Sequence, residues 1–264
     1  MIKKVVVAAA GQGTRMLHLS NNKSKHLICV QHKPFLAYLL DNILKAGYKE
    51  IILVVGYRED MVREFLKNYK FNGYDFNIKI VNQFDILGPK EKEYGTACPI
   101  KCVKDLIKNE NFISLCGDNF YAVEDLKAMN IDDEFCYIAG LKQEHPERYG
   151  VLIVPPRAGS RYGGKDGDFL EKIIEKPKEF VGDLINTSLY KFTPEIFEKV
   201  FQIEKSPRGE YEITDAISIL AKEKKVKIKK INSFWMDFGK PEDVEKFSNF
   251  LRNENSKAVA KNVK

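Results

Sequence analysis

The sequence predicts a single α/β domain built on a mostly parallel, mixed sheet with helices on both faces, and two observations predict it. Short apolar runs rich in β-branched residues alternate with segments of helical apolar spacing through Asn119. Two of those runs end in glycine turns bearing charge: 5–10 runs into Gly11-Gln12-Gly13-Thr14-Arg15, and 112–116 into Gly117-Asp118-Asn119. With 264 residues the chain is long enough to bury a sizeable core. The folded domain is expected over 1–251, followed by a polar tail over 252–264 that lacks apolar periodicity and is expected to fray.

The elements follow in order. Val5-Val6-Val7-Ala8-Ala9-Ala10 is short, β-branched at its start and glycine-bounded, which reads as a parallel strand buried on both faces. Phe35, Leu36, Leu39, Leu40, Ile43 and Leu44 give a helix over 34–46 that stops at Gly47. A second buried strand spans 50–55, a helix 60–69 carries Met61, Val62, Phe65 and Leu66 on one side, and further strands span 77–83 and 112–116. In such a sheet ligands bind at the carboxyl ends of the strands, where Gly11 and Asp118 both fall. From Phe135 the pattern becomes a meander, with strands over 135–141, 150–154, 169–175 and 184–192 and a turn cluster at 163–167. Helices return over 194–201 and 213–222, and Val226-Lys227-Ile228-Lys229 alternates like a strand with one solvated face.

Glycine at 11 and 13 lets the backbone bend sharply and bring N–H groups close to an anion. The Gly-Lys-Ser/Thr of a P-loop is missing, and Met16 stands where a dinucleotide fingerprint needs its third glycine. The acidic residue expected about 20 positions after a dinucleotide loop is also absent, which argues against a nicotinamide or flavin cofactor. Arg15 and Lys25 flank the loop and suit a polyphosphate, although the same letters also fit a plain tight strand-to-helix turn.

Composition narrows the classes. Hydrophobic residues make up 44% and charged residues 30%, as in ordinary globular chains. No apolar run approaches the roughly 20 residues of a membrane span and no signal-peptide pattern opens the chain, so the protein is expected in the cytoplasm. Five cysteines, none in C-x-x-C spacing, read as reduced thiols, mostly in the core. His18, His26, His32 and His145 lack the spacing of a zinc site. The net charge of +6 raises nucleic acid as a partner, but the excess lies in 222–230 and the last residues, with no nucleic-acid-binding motif beside it. No nucleic-acid or membrane partner is expected.

Several fragments together resemble the sugar-1-phosphate nucleotidylyltransferases. They are Gly11-Gln-Gly-Thr-Arg-Met16, Ser24-Lys25, Lys33-Pro34, Gly117-Asp118-Asn119, Tyr149-Gly150-Val151, Glu175-Lys176-Pro177, Asn186, Glu210, Ile213-Thr214-Asp215 and Trp235-Met-Asp237-Phe-Gly239. The resemblance spans 2–245 and implies a Rossmann-like, glycosyltransferase-A-like fold that joins a nucleoside triphosphate to a sugar 1-phosphate and releases pyrophosphate. UTP or dTTP and glucose 1-phosphate are favoured. N-acetylglucosamine 1-phosphate, mannose 1-phosphate with GTP, a non-sugar phosphate such as phosphocholine, and a non-catalytic nucleotide-sugar-sensing subunit are the alternatives.

That chemistry suits the residues. A phosphate monoester has its second pKa near about 6, so the nucleophile needs no general base; what it needs is positioning and cations. By the resemblance, Arg15 serves the departing pyrophosphate and Lys25 the triphosphate near the reacting phosphorus, while Asp118 and Asp237 hold Mg²⁺. Ala10, Gly11, Gly13, Thr14, Gln83, Gly95 and Thr96 bind the nucleotide; Gly150, Glu175, Lys176 and Asn186 bind the sugar phosphate. Taken singly, Asp118 also fits a turn cap, Asp237 a surface aspartate, and Glu175-Lys176 a solvated hairpin pair. The segment 84–94, FDILGPKEKEY, is longer than the resemblance calls for. Relatives of this kind often form oligomers. No left-handed β-helix is encoded, so no second acyltransferase activity is expected.

Overall fold

A computed structural model describes residues 1–71, 75–155 and 165–262. The first half comprises β1 (Lys4–Ala9), β2 (Cys29–Val30), β3 (Lys33–Pro34), α1 (Phe35–Lys45), β4 (Glu50–Val55), α2 (Glu59–Asn68) and β5 (Asn77–Asn82), then three short helices and two strands: α3 (Gln83–Leu87), α4 (Cys98–Lys101), α5 (Lys104–Ile107), β6 (Phe112–Cys116) and β7 (Asn119–Tyr121). The second half adds α6 (Val123–Ala128), β8 (Cys136–Lys142), β9 (Gly150–Ile153), β10 (Lys172–Glu175), β11 (Leu184–Phe192), α7 (Ile196–Gln202), α8 (Ile213–Lys222), β12 (Val226–Lys230), β13 (Trp235–Asp237) and α9 (Pro241–Asn262).

The main sheet runs β10-β9-β11-β6-β1-β4-β5, with β8 pairing β11 and β12. β1 is parallel to β4 and β6, and β4 to β5, whereas β11 runs antiparallel to β6, β8 and β9. The parallel half and the meander therefore share one continuous sheet. Alternation along the central strands feeds two cores. Val6, Ile52, Val54 and Phe112 pack with Ile196, Val200 and Ile217 of α7 and α8 on one face. Val5, Val7, Leu53 and Val55 pack with Leu36, Leu40 and Ile43 of α1 on the other. That double cover explains why β1 reads as an unbroken apolar run.

Most elements match within one or two residues; three boundary shifts and one unexpected strand have local reasons. The strand expected over 77–83 stops at Asn82, whose side chain accepts from the Phe84 N–H at 2.8 Å and caps α3, so Gln83 opens a helix. The strand expected over 169–175 narrows to β10, because Phe169 bridges Lys227 and the Leu170 N–H donates to the Val226 carbonyl at 2.9 Å. The residues from 252, expected to fray, continue α9 through Asn262. Phe247, with Phe250 against it, anchors this helix in a third core with Met16, Phe35 and Phe238. β7 was not expected at all; it pairs antiparallel with β13, setting Asp237 opposite Asn119 and Trp235 opposite Tyr121. Of the turn cluster at 163–167, Gly163 and Gly164 lie outside the described residues.

Candidate active site

A cavity of about 540 Å³ opens where the ends of β1 and β6 meet β10, β11 and the segments at 94–96 and 206–215. It brings Ala10, Gly11, Lys25, Gln83, Gly95, Thr96, Asp118, Glu175 and Asn186 to one lining. Thr14, Arg15 and Lys176 are exposed and lie outside that lining, as do Gly13, Gly150 and Asp237.

The glycine loop is shaped by what passes beneath it. Gly13 adopts φ 68°, and a Cβ there would stand 2.7 Å from Lys25 Cβ, so only glycine lets the lysine stem run against the loop. The Gly13 carbonyl accepts from the Met16 N–H at 2.9 Å and the Ser20 hydroxyl at 2.8 Å. Met16, fully buried, plugs into the third core and leaves Arg15 on the surface.

Lys25 forms an ion pair with Asp118, which follows β6. Burial opposes the Lys25 charge, but Asp118, with Asp237 adding to it, outweighs that cost and holds the ammonium above the ordinary lysine range. Burial likewise works against an ionised Asp118, yet Lys25 keeps its carboxyl below the usual range. Asp237 goes the other way: burial, and then the Asp118 charge, push its carboxyl up to about 6. The β7·β13 ladder enforces this proximity, since the Phe238 N–H donates to the Asp118 carbonyl at 2.7 Å. A Cβ at Gly239 would lie 3.5 Å from Arg15 Nη2 and 3.3 Å from an Asp237 carboxylate oxygen, so arginine and aspartate flank one backbone position.

The Asp118 and Asp237 carboxylates are a hard-oxygen donor pair, which fits a divalent ion that keeps its other positions for water and substrate oxygens. Among the described residues no group of three or more His, Cys, Asp and Glu side chains clusters as a complete metal cage. His26 offers no general base. It is buried, its Nδ1 lies 3.0 Å from the Ser24 hydroxyl, and burial together with Lys25 pushes its pKa down to about 3.

The opposite wall is framed by backbone. Gly150 pairs with Glu175 across β9 and β10. A bulge in β11 between Asn186 and Tyr190 holds Asn186 at both ends: its carbonyl accepts from the Ser188 N–H at 2.8 Å, and its amide donates to the Tyr190 hydroxyl at 2.9 Å. Lys176 follows β10 in the left-handed region at φ 44°, and its N–H donates to the Tyr149 carbonyl at 3.0 Å.

The remaining wall is sewn from two chain segments. The Tyr211 N–H donates to the Tyr94 carbonyl, the Ala97 N–H to the Tyr211 carbonyl, and the Ile213 N–H to the Thr96 hydroxyl, all within 2.9 Å. Glu212, buried, accepts from Thr96 at 3.2 Å, Ser206 at 3.3 Å and Arg208 at 2.7 Å. Gly95, at φ 136°, is required here, because a Cβ would meet the Tyr211 carbonyl oxygen at 2.3 Å.

Sequence reasoning gave no role to Arg208, Glu210, Tyr94 or Tyr190, all of which line the cavity. The signal for Arg208 was present in Ser206-Pro-Arg-Gly, a turn placing a cation beside Glu210. Gln83, 1% exposed, lines the cavity with an amide nitrogen that has no hydrogen-bond partner among the described residues, an uncompensated donor costing about 1–3 kcal/mol until an acceptor arrives.

The family model for nucleotidyl transferases matches residues 4–254. A bifunctional sugar-1-phosphate nucleotidylyltransferase/acetyltransferase from Sulfurisphaera tokodaii is 30% identical over 99% of this chain, which spans 60% of that protein's length. The UTP–glucose-1-phosphate uridylyltransferase AglF of Haloferax volcanii is 29% identical, with 97% of this chain and 99% of that protein covered. The crystal structure of a UDP-glucose pyrophosphorylase complexed with UDP-glucose shares the fold, with a TM-score of 0.79 at 20% identity over 96% of this chain and 100% of that one. The chain belongs to the nucleotidyl transferase family, among its sugar-1-phosphate nucleotidylyltransferases.

Proposed function

We propose that this chain joins a nucleoside triphosphate, UTP or dTTP in preference, to a sugar 1-phosphate, glucose 1-phosphate in preference, giving a nucleotide sugar and pyrophosphate. One observation carries the reading: a single cavity has the glycine loop and an unpartnered Gln83 donor on one side, Glu175 and Asn186 on the other, and the Lys25–Asp118 pair between them. A pyrimidine with ring carbonyls supplies the acceptor that the Gln83 amide lacks. The name of the Haloferax relative, matched over nearly its full length, supports the same pair of substrates.

In this reading a sugar-phosphate oxygen attacks the α-phosphorus, the new P–O bond forms as the bond to the β-phosphate bridging oxygen breaks, and pyrophosphate leaves. The attacking oxygen is already ionised near neutral pH, so no proton has to be taken from it, in keeping with a buried, neutral His26. Lys25 exchanges the Asp118 carboxylate for phosphate oxygens, and Arg15 at the loop rim meets the departing charge. Asp118 and Asp237 would hold Mg²⁺, which when bound supplies neutralisation of the phosphates of both substrates. Glu175 and Asn186 orient the sugar, with Lys176 on its phosphate.

The test is pyrophosphate release across ATP, GTP, CTP, UTP and dTTP crossed with several sugar 1-phosphates and phosphocholine, with Mg²⁺ and with EDTA. The expected result is one strong, EDTA-sensitive pair containing UTP or dTTP. Activity with phosphocholine alone would replace the sugar substrate. Silence from folded protein that still binds a nucleotide sugar would make the chain a sensing subunit.

A further inference from the structure

The cations assigned to the triphosphate already face carboxylates in the free protein. Lys25 is paired with Asp118, and Arg15 shares the Gly239 position with Asp237. A third cation stands at the same loop without one. Lys90, exposed and in the segment 84–94, donates to the side-chain carbonyl of Gln12 at 3.2 Å and lies 4.6 Å from the centroid of the Tyr94 ring. Both partners are neutral, and among the described residues Lys90 makes no ion pair. Gln12 separates Gly11 from Gly13, and Tyr94 Oη lies 4.0 Å from where a Cβ on Gly11 would stand, with Lys25 Nζ at 3.8 Å from the same point. The lysine is thus held beside the glycine loop through the Gln12 side chain and the Tyr94 ring.

The segment that carries it is fixed in place. Asn82 caps its start, the Gly88 N–H donates to the Phe84 carbonyl at 3.0 Å, Glu93 pairs with the buried Lys101 at 2.9 Å, and Tyr94 is bonded to Tyr211. A cation on an anchored segment, resting on a flat aromatic face and a neutral amide, loses little freedom when an anion replaces the amide oxygen. We infer that Lys90 is a nucleotide-binding residue, supplying the glycine loop with a third positive charge for the pyrophosphate moiety of the nucleoside triphosphate. This inference rests on the nucleotidyl-transfer reading and assigns the segment 84–94 a role in triphosphate binding.

The experiment is calorimetric titration of the full chain, in Mg²⁺, with inorganic pyrophosphate and separately with glucose 1-phosphate, for the wild type, Lys90→Gln, Lys90→Arg and Gln12→Ala. Lys90 is exposed, so its substitutions leave the fold intact. Lys90→Gln should bind pyrophosphate about 5–10-fold more weakly and glucose 1-phosphate unchanged, with Lys90→Arg within about twofold of the wild type. Raising the salt concentration should narrow the gap between wild type and Lys90→Gln. Equal pyrophosphate affinity for wild type and Lys90→Gln overturns the inference while leaving the nucleotidyl-transfer reading standing. A Gln12→Ala loss as large as that of Lys90→Gln also overturns it, since Lys90 would then act only as a tether of the loop. Wild-type protein that binds neither pyrophosphate nor any nucleoside triphosphate overturns both.

Discussion

The wall formed by the ends of β1 and β6 stores charge in buried and half-buried, opposed groups, whereas the wall formed by β9, β10 and β11 holds neutral or solvent-facing groups in a backbone frame. On the first, Lys25 and Asp118, with Asp237 at the end of β13 beside them, carry shifted ionisation: Lys25 upward, Asp118 downward and Asp237 up to about 6. On the second, Asn186 is clamped at both ends by uncharged partners, and Lys176 and Glu175 are exposed. The difference teaches where sensitivity should lie. Charge that is desolvated and unbalanced is strongly coupled to any ion or phosphate that enters, while a neutral frame discriminates by shape and costs less to perturb.

The contrast is broken most directly at Asp237. Asp237→Asn should lower turnover by about 10³-fold or more while the circular dichroism spectrum stays native. The same substitution should stabilise the free protein. A carboxyl raised from 3.8 to about 6 binds its proton more readily in the folded state than in the unfolded one, so its contribution to stability falls as pH rises through that window. Melting curves should show Asp237→Asn more stable than wild type by about 1–3 kcal/mol at pH 7.5, with the gain gone near pH 4. Asp118 has the opposite sign: its depressed carboxyl adds stability above its ordinary value and loses it as pH falls. An Asp237→Asn protein that is fully active, or less stable at pH 7.5, would mean that the first wall is not charge-strained.

Next in size is Gly95→Ala, which attacks the seam that builds the cavity's remaining wall. Its Cβ would press into Tyr211 backbone atoms at 2.3 and 2.5 Å from a left-handed φ of 136°. The expected cost is more than about 3 kcal/mol, read as a fall in melting temperature, with kcat/KM down about 10²-fold for both substrates because the 94–97 and 206–213 segments separate. A wild-type melting temperature would show that the seam yields without cost.

Lys176→Ala should be milder and one-sided. It should lower kcat/KM for the sugar 1-phosphate by about 10–50-fold and leave the KM of the nucleoside triphosphate within twofold, about the effect of one charged contact at a solvent-facing site. An equal loss for both substrates would move Lys176 from the framed wall to the charged one.

How far all this was legible from sequence follows the same division. The central strands were readable because double burial leaves unbroken apolar runs; the strands expected over 50–55 and 112–116 match β4 and β6 to the residue. Chemistry-bearing residues at strand ends were readable too, since Gly11 and Asp118 follow β1 and β6 and both line the cavity. What sequence did not give was pairing between distant short segments. β7 and β13 have three residues each, too few for any periodicity, yet their ladder is what brings Asp237 to Asp118. Arg208 is different: its Glu212 partner lies only four residues on and its turn was visible, but the tie from Glu212 to Thr96 that sets both beside the cavity joins segments more than 100 residues apart. The helical run beyond residue 251 escaped because the packing that anchors α9, at Phe247 and Phe250, lies upstream of it.

The smallest expected effect sharpens the comparison most, because it touches the neutral frame alone. Tyr190 is 4% exposed, lines the cavity and stacks on Phe192 at 5.1 Å between ring centroids, so Tyr190→Phe keeps the packing and removes one hydroxyl. That hydroxyl accepts the Asn186 amide at 2.9 Å; without it the amide keeps only its carbonyl bond to Ser188 and can turn. The loss is one neutral hydrogen bond, about 1 kcal/mol, and should appear as a two- to fivefold rise in KM for the sugar 1-phosphate, with kcat, nucleotide KM and the acid limb of the pH profile unchanged. Charge coupling sets the scale of effects on the first wall, and here no charge is involved. A tenfold or larger fall in kcat from this one hydroxyl would show that the framed wall is coupled to the reacting phosphorus as tightly as Asp237, and the division between the two walls would not hold.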